Sequence, residues 1–254
     1  MAYENMLRVE KMALIDPNYL TKTQIATEVK DTSRAFLVEW IIDVHRKFRL
    51  HPETLYVTVS IIDRFLSKQQ IKKSQLHILG VTALLISTKY EEIYPPDLKE
   101  LLQVSENKFS RAQVLEMERE ILQVLEFDLT TPSAYRFLQR FAKLCGLYAD
   151  QKVFFFAQYI QEIASLDASL LKYRPSQIAA ASLVLAAKNS ERNNPWTDEL
   201  AKSTGISWES LKTIVEDVKS FVVEVNPKFL TTLKYKFSKP EYMEVACLSL
   251  ALKL

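Results

Sequence analysis

The chain of 254 residues contains three glycines, Gly80, Gly146 and Gly205, where average usage of about 7% would give roughly eighteen. Sheets and elaborate loops draw on glycine for positive-φ turns, whereas helix interiors avoid it, so the scarcity points to an all-α protein. The three glycines also lie far apart, which excludes a GxGxxG or Walker-type phosphate loop. Only two cysteines occur, Cys145 and Cys247, with no CxxC and no histidine at metal-ligand spacing. They are expected to be small core residues of a reducing compartment. His45, His51 and His77 share no ligand spacing and are expected at the surface, and neither a metal site nor a cofactor is predicted.

Other absences narrow the function further. No Ser-His-Asp, Cys-His or HExxH arrangement is present, so no catalytic residues are assigned. The longest uncharged apolar run, near Ile78–Thr88, is about eleven residues against the roughly 20 that span a bilayer. The start, MAYENMLRVEKM, is charged and has no apolar signal core. A soluble, intracellular protein is expected, with no membrane partner. A formal charge of +2 gives no nucleic-acid footprint. With 48% hydrophobic residues, the chain can nevertheless build a substantial core.

Helical spacing organises what is present. Residues 3–15 have helical character and stop at Pro17. Asp31-Thr32-Ser33 offers cap side chains for a second helix reaching about Leu50, with Leu37, Trp40 or Ile41, Val44 and Phe48 at helical intervals. A third follows Pro52, with Leu55, Val59, Ile62 and Leu66 on one face. From about Ser74 runs a helix that is uncharged on every side and must be surrounded by other elements. It ends abruptly in Lys89-Tyr90-Glu91-Glu92 and is closed by Pro95-Pro96. Asp97 begins a short helix through Leu102, and Ser110-x-x-Gln113 has the capping-box form for another.

Thr131-Pro132 is the natural mid-chain boundary, read as a cap residue and a proline at the first helical position. The next helix ends near Gly146, a suitable C′ residue. A second copy of the first half then follows. Ser176-Gln177-Ile178 precedes another uncharged helix ending in Lys188, as Ser74-Gln75-Leu76 precedes the one ending in Lys89. Val114, Met117 and Ile121 align with Leu211, Ile214 and Val218, which places Val215 opposite Glu118. The predicted architecture is two tandem five-helix folds. They occupy residues 31–131 and 132–225, after an N-terminal helix and linker (1–30) and before a C-terminal extension (226–254).

Several segments together carry a family resemblance: SRAFLVEWIIDVHRKFRL (33–50), ETLYVTVSIIDRFLS (53–67), STKYEEIYPPD (87–97), MEREILQVLEFDL (117–129), YRPSQIAAASLVLAAK (173–188) and GISWESLK (205–212). They resemble the two cyclin folds of A- and B-type, mitotic-like cyclins. SIIDRFL and KFRL look B-type, whereas the ending KYKFSKPEYMEVA looks A-type. The resemblance implies a non-catalytic regulatory subunit of a cyclin-dependent Ser/Thr protein kinase, acting in the cell cycle in nucleus and cytoplasm. The partner would form a heterodimer through its PSTAIRE helix. The alternative is a tandem cyclin-fold transcription factor of the TFIIB type, for which a one-sided basic surface is wanted.

By this resemblance, Lys89 and Glu118 match kinase-contacting residues, whose charge-assisted hydrogen bonds to main chain would not depend on kinase side chains. Ile86, Tyr90, Leu122, Phe127 and Leu129 match the apolar surface that receives the PSTAIRE helix. Phe36, Leu37, Trp40, Asp43, Lys73 and His77 match a patch that docks substrates or inhibitors bearing Arg-x-Leu. Ser33 departs from that motif, where methionine is usual. Arg34 and Asp63 match a structural salt bridge between the first two cyclin-box helices. Arg34-Ala35-Phe36-Leu37 has the form of a destruction signal but lies within a packed helix, which excludes that role. Arg140 matches one basic residue of a phosphate pocket found in some B-type cyclins, but Phe154 and Gln158 stand where others belong, so no such pocket is predicted.

Overall fold

The computed structural model describes residues 2–12, 15–192 and 195–248. Among these are twelve α-helices joined by turns and short 3-10 segments, and no strand. The chain divides into two compact units, residues 13–131 and residues 1–12 with 132–254.

Helix α1 (Ala2–Met12) packs within the unit formed by the second half of the chain. Tyr3 donates its hydroxyl to the carbonyl of Thr204 at 2.8 Å and sets its ring against Phe137 and Phe141. The buried Glu10 carboxylate accepts from both the amide and the hydroxyl of Ser176. Burial raises the Glu10 pKa, and the two Ser176 bonds oppose the rise only in part. The sequence expectation of helix as far as residue 15 extends over residues 13 and 14, which lie outside those described.

The first five-helix unit comprises α2 (Asp31–Lys47), α3 (Pro52–Lys68), α4 (Leu76–Glu91), α5 (Leu98–Val104) and α6 (Arg111–Val124). Helix α4 is its axis, packed against the other four. Every residue from Ile78 to Thr88 is buried, as an uncharged helix requires. Each fully covered leucine, such as Leu79 or Leu84, contributes about 1.5–3 kcal/mol of hydrophobic stabilisation. Gly80 lets α2 come close: a Cβ there would stand 2.6 Å from Leu37 Cδ1. The predicted capping box of α6, through Ser110, is formed, and Asp97, expected to start α5, caps it with a second such box through Glu100.

The second unit repeats the plan with α7 (Ala134–Leu144), α8 (Gln151–Ala164), α9 (Pro175–Asn189), α10 (Asp198–Thr204) and α11 (Trp208–Glu224). Its axis, α9, is buried from Ala179 to Ala187 and packs on α7, α8 and α11. Gly146 lies beyond the α7 C-cap at φ +71°, the left-handed position expected of it. In the extension, α12 (Thr231–Phe237) returns over α8 with Leu233, Lys236 and Phe237 buried.

Four local expectations need correction. Helix α2 starts at Asp31 with Lys30 as N-cap and no side-chain cap bond, so Thr32 and Ser33 are already within the helix. Helix α7 is capped by the Ser133 hydroxyl, which accepts from the amide of Arg136, and Pro132 precedes the cap rather than occupying the first turn. His45 is buried, its Nε2 2.9 Å from the His51 carbonyl, because it shares the inward face of α2 with the fully buried Ile41 and Ile42 one turn earlier. Neither cysteine is in the core: Cys145 is half-buried at the end of α7 and Cys247 is exposed.

Candidate functional site

The polar end of α4 meets α6 through an ion pair. Lys89 Nζ donates to Glu118 Oε1 at 2.7 Å, with the lysine side chain 50% exposed and the glutamate 16%. Beside it, the half-exposed Tyr90 shares a hydrogen bond of 2.7 Å with the Thr130 hydroxyl. Phe127 is 70% exposed. Its backbone and that of Glu126 are left-handed, at φ +57° and +53°, immediately after α6. Such conformations cost roughly 1–2 kcal/mol per non-glycine residue, so the chain holds strain where it presents an aromatic ring to solvent. Leu122 and Leu129 are partly exposed, beyond a purely core role. Ile86 is the exception among the expected surface residues. At 4% exposure it lies in the packed face of α4 and supports this surface from beneath.

Sequence reasoning missed two neighbours, Ile93 and Tyr94, which are 87% and 91% exposed. Glu92 anchors their loop by accepting from the amide of His51 and the hydroxyl of Thr54 at the start of α3. Asp97 fixes the other end as the cap of α5. The signal was present in EEIYPPD: consecutive prolines stop the helix and leave the two large residues before them outside it. Glu91, Glu92 and Asp97 do not form a metal cluster, and none occurs among the described residues.

The second unit supplies an internal comparison. Lys188 ends α9 as Lys89 ends α4, but it lies over the Trp208 ring at 5.2 Å. Val215, opposite Glu118 in the repeat, is buried. The fold therefore closes its axial helix without a lysine–glutamate pair.

On the α2 side of the first unit, Phe36 is 57% exposed and Trp40 half-buried, whereas Leu37 is buried against Gly80. Leu37 is thus a core residue rather than part of an accessible patch. Trp40 meets the His77 ring edge-on at 4.6 Å, and His77 meets Phe109 at 5.5 Å. Burial, with Lys108 nearby, lowers the His77 pKa. Asp43 is bound by Arg46 at 2.8 Å and Lys47 at 2.7 Å. Its burial acts to raise the pKa, but these two cations hold it below the usual carboxylate value. Lys73 is exposed in the turn before α4.

Arg34 and Asp63 form the expected bridge between α2 and α3. The contact is bidentate, at 2.6 and 2.7 Å, with both side chains 1% exposed. Asp63 Oδ1 also accepts from the buried Tyr19 hydroxyl at 2.8 Å, which ties in the segment preceding α2. A second buried pair, absent from the sequence reading, joins Lys236 of α12 to both oxygens of Glu162 on α8 at 2.6 and 2.8 Å. Gln158 donates to the same carboxylate. Phe154 packs against Tyr135 and Tyr148, and Arg140 lies over the Tyr3 ring at 4.1 Å, so these three residues do not converge on one pocket.

Two tandem five-helix units, each around a buried axial helix, define a tandem cyclin-fold protein. Residues 1–130 match the family model for the cyclin N-terminal domain and residues 132–251 that for the cyclin C-terminal domain. The chain belongs to the cyclin family. It is 35% identical over 247 residues to the G2/mitotic-specific cyclin-B2 of Oryzias latipes, covering 96% of this chain and 62% of that protein. It is also 35% identical to the G2/mitotic-specific cyclin-B1 of Xenopus laevis, with 96% and 60% covered. The chain thus spans about three fifths of the length of these relatives. Among solved structures, a viral cyclin from herpesvirus saimiri superposes with a TM-score of 0.78 at 24% identity, over 90% of this chain and 100% of that one. The yeast RNA Pol II CTD kinase CTDK-1 complex contains a chain with a TM-score of 0.69 at 14% identity, with 82% and 71% covered.

Proposed function

We propose that this protein is the regulatory subunit of a cyclin-dependent Ser/Thr kinase, of the mitotic or S-phase type, working in nucleus and cytoplasm without catalytic residues or a cofactor of its own. The observation that carries the reading is the Lys89–Glu118 pair among exposed apolar side chains, at the end of one axial helix and not the other. As a solvated ion pair it contributes only about 0–1 kcal/mol to folding. Turned toward a helix of a partner, the lysine donates to main-chain carbonyls and the glutamate accepts from amides. Tyr90, Phe127, Ile93 and Tyr94 supply apolar area to desolvate those bonds, as energetically dominant interface residues do. Activation follows if the partner is bound more tightly in its active conformation than in its inactive one. The transcription-factor alternative is not favoured, since the curated relatives are G2/mitotic cyclins.

The test is co-purification with a cyclin-dependent kinase and assay of its activity. The unmodified chain is expected to form a one-to-one complex and raise kinase activity. Joint Lys89→Ala and Glu118→Ala substitution should weaken the complex at least about tenfold with an unchanged helical circular-dichroism spectrum. Loss of the fold in that variant would place the pair among structural contacts. Failure of the unmodified chain to bind any such kinase would sink the proposal.

A further inference from the structure

Helix α3 carries three polar side chains, Ser60, Arg64 and Lys68, at intervals of four residues and therefore on one face. All three meet the chain that leaves α6, in antiparallel order. Lys68 donates to the carbonyl of Val124, the last residue of α6, at 3.3 Å. Arg64 Nη2 donates to Asp128 Oδ2 at 3.4 Å, and the hydroxyls of Ser60 and Thr131 are 3.2 Å apart. Between the first of these contacts and the second lies the left-handed turn that projects Phe127. The central contact is not closed. Arg64 is buried and its Nη1 has no hydrogen-bond partner among the described residues, whereas the Asp128 side chain is 63% exposed. Burial lowers the Arg64 pKa, and Asp128 opposes the fall only in part.

The repeat supplies the closed counterpart. With Ile62 opposite Ile160 and Ser67 opposite Ser165, Arg64 falls opposite Glu162 and Ser60 opposite Gln158. Glu162 likewise grips the chain that follows the five helices of its unit: both its oxygens accept from Lys236 of α12, at 2.6 and 2.8 Å, and Gln158 donates to it. That pair is fully buried and holds the fold together. In the first unit the same helix position holds its loop through one long contact and keeps a donor unused. Buried polar groups that serve packing alone are nearly always bonded. We infer that Arg64 is a positioning residue for partner binding. With Ser60 and Lys68 it sets the loop that projects Phe127, and its unused donor lets that loop settle against the partner without losing its anchor. The inference rests on the kinase-regulator reading, since the partner served is the kinase.

Arg64→Met tests it on the full chain, because it keeps the apolar stem, removes the donors and leaves Asp128 in solvent. Hydrogen exchange in residues 125–131 should be about tenfold faster in this variant, with the rest of the unit and the circular-dichroism spectrum unchanged. Asp128→Asn, at an exposed position, should shift the same residues in the same direction by less. Calorimetric titration with a cyclin-dependent kinase should show binding about tenfold weaker for Arg64→Met, but less than about twofold weaker when the change is added to Phe127→Ala, because Arg64 acts through that ring. Arg64→Lys, which retains a charged donor, should recover part of the affinity. Unchanged exchange in residues 125–131, unchanged affinity, or a full tenfold loss persisting beside Phe127→Ala would each overturn the inference. The two readouts separate the two claims. A chain that binds the kinase but ignores Arg64→Met refutes the positioning role alone. A chain that binds no kinase, yet shows the faster exchange in Arg64→Met, refutes the proposed function and upholds the hold of Arg64 on the Phe127 loop.

Discussion

Asp63→Ala is expected to be among the most damaging single substitutions in the first unit, although Asp63 lies on no exposed surface. Its carboxylate accepts two bonds from Arg34 and one from Tyr19, and Arg34, Asp63 and Tyr19 are all within 1% of complete burial. Burial acts against the Arg34 charge, but Asp63 more than compensates and raises the guanidinium pKa. With the carboxylate gone, a buried cation and a buried hydroxyl are both left without it. Breaking one side of such a pair costs about 3–5 kcal/mol. Tyr19→Phe removes one bond to a charged acceptor and should cost only about 1.5–3 kcal/mol. The contrast lies in the double replacement Arg34→Met with Asp63→Leu. It leaves no unpaired charge and should recover at least half of the loss, since apolar residues of similar volume often substitute for buried pairs without penalty. Hydrogen exchange followed by mass spectrometry resolves residues 15–131 from the second unit and measures each loss during urea titration. A loss below about 1 kcal/mol for Asp63→Ala, or a double variant no better than the single one, would refute the buried-charge argument.

The second buried pair predicts the same pattern elsewhere: Lys236→Met should release α12 from α8 and destabilise the second unit by about 3–5 kcal/mol, seen as faster exchange in residues 226–248. Adding Glu162→Leu should restore much of the protection. Phe127→Ala should leave the urea midpoint within the equivalent of about 0.5 kcal/mol while weakening kinase binding by about 2 kcal/mol, read by calorimetric titration. A fall in stability instead would show that Phe127 packs in the fold. Glu10 gives a pH dependence: its folded pKa is raised, so its stabilising contribution is full below the ordinary glutamate value near 4.5 and is lost as pH climbs through the raised value. Exchange protection of residues 2–12 should therefore decline with rising pH in the native chain, and Glu10→Gln should remove that component. An identical pH profile in both proteins would exclude Glu10 as its source.

The helices and their axial pair were legible because the physics behind them is local. Uninterrupted apolar composition marks α4 and α9, serine and aspartate mark helix starts, and Gly146 marks an end. What escaped depends on neighbours distant in sequence. The inward turn of His45 is set by the packing of α2, and the capping of α7 by Ser133 depends on one residue of register after Pro132. The Lys236–Glu162 pair joins residues 74 positions apart, and nothing in KYKF distinguishes Lys236 from its exposed neighbour Lys234.

At the candidate site, the resemblance indicated which residue types matter, and the structure sorted them by access. Ile86 and Leu37 were named with the exposed residues because a helix with apolar residues on several faces gives no clue to which face is free. Ile93 and Tyr94 went unnamed because they precede prolines in a loop where helical spacing no longer applies. The same loop explains why the two axial helices end differently. Lys188 turns onto Trp208, a contact the second unit makes with its own residues. Lys89 turns to Glu118 at a rim where the left-handed Phe127 and the Glu92-anchored Ile93 and Tyr94 present apolar side chains to solvent. Consecutive left-handed residues also follow α5 at Glu106 and Asn107, so what sets this rim apart is the exposed Phe127, Ile93 and Tyr94 beside a weakly stabilising ion pair. On the proposed reading, a partner's binding desolvates the pair and the rings together.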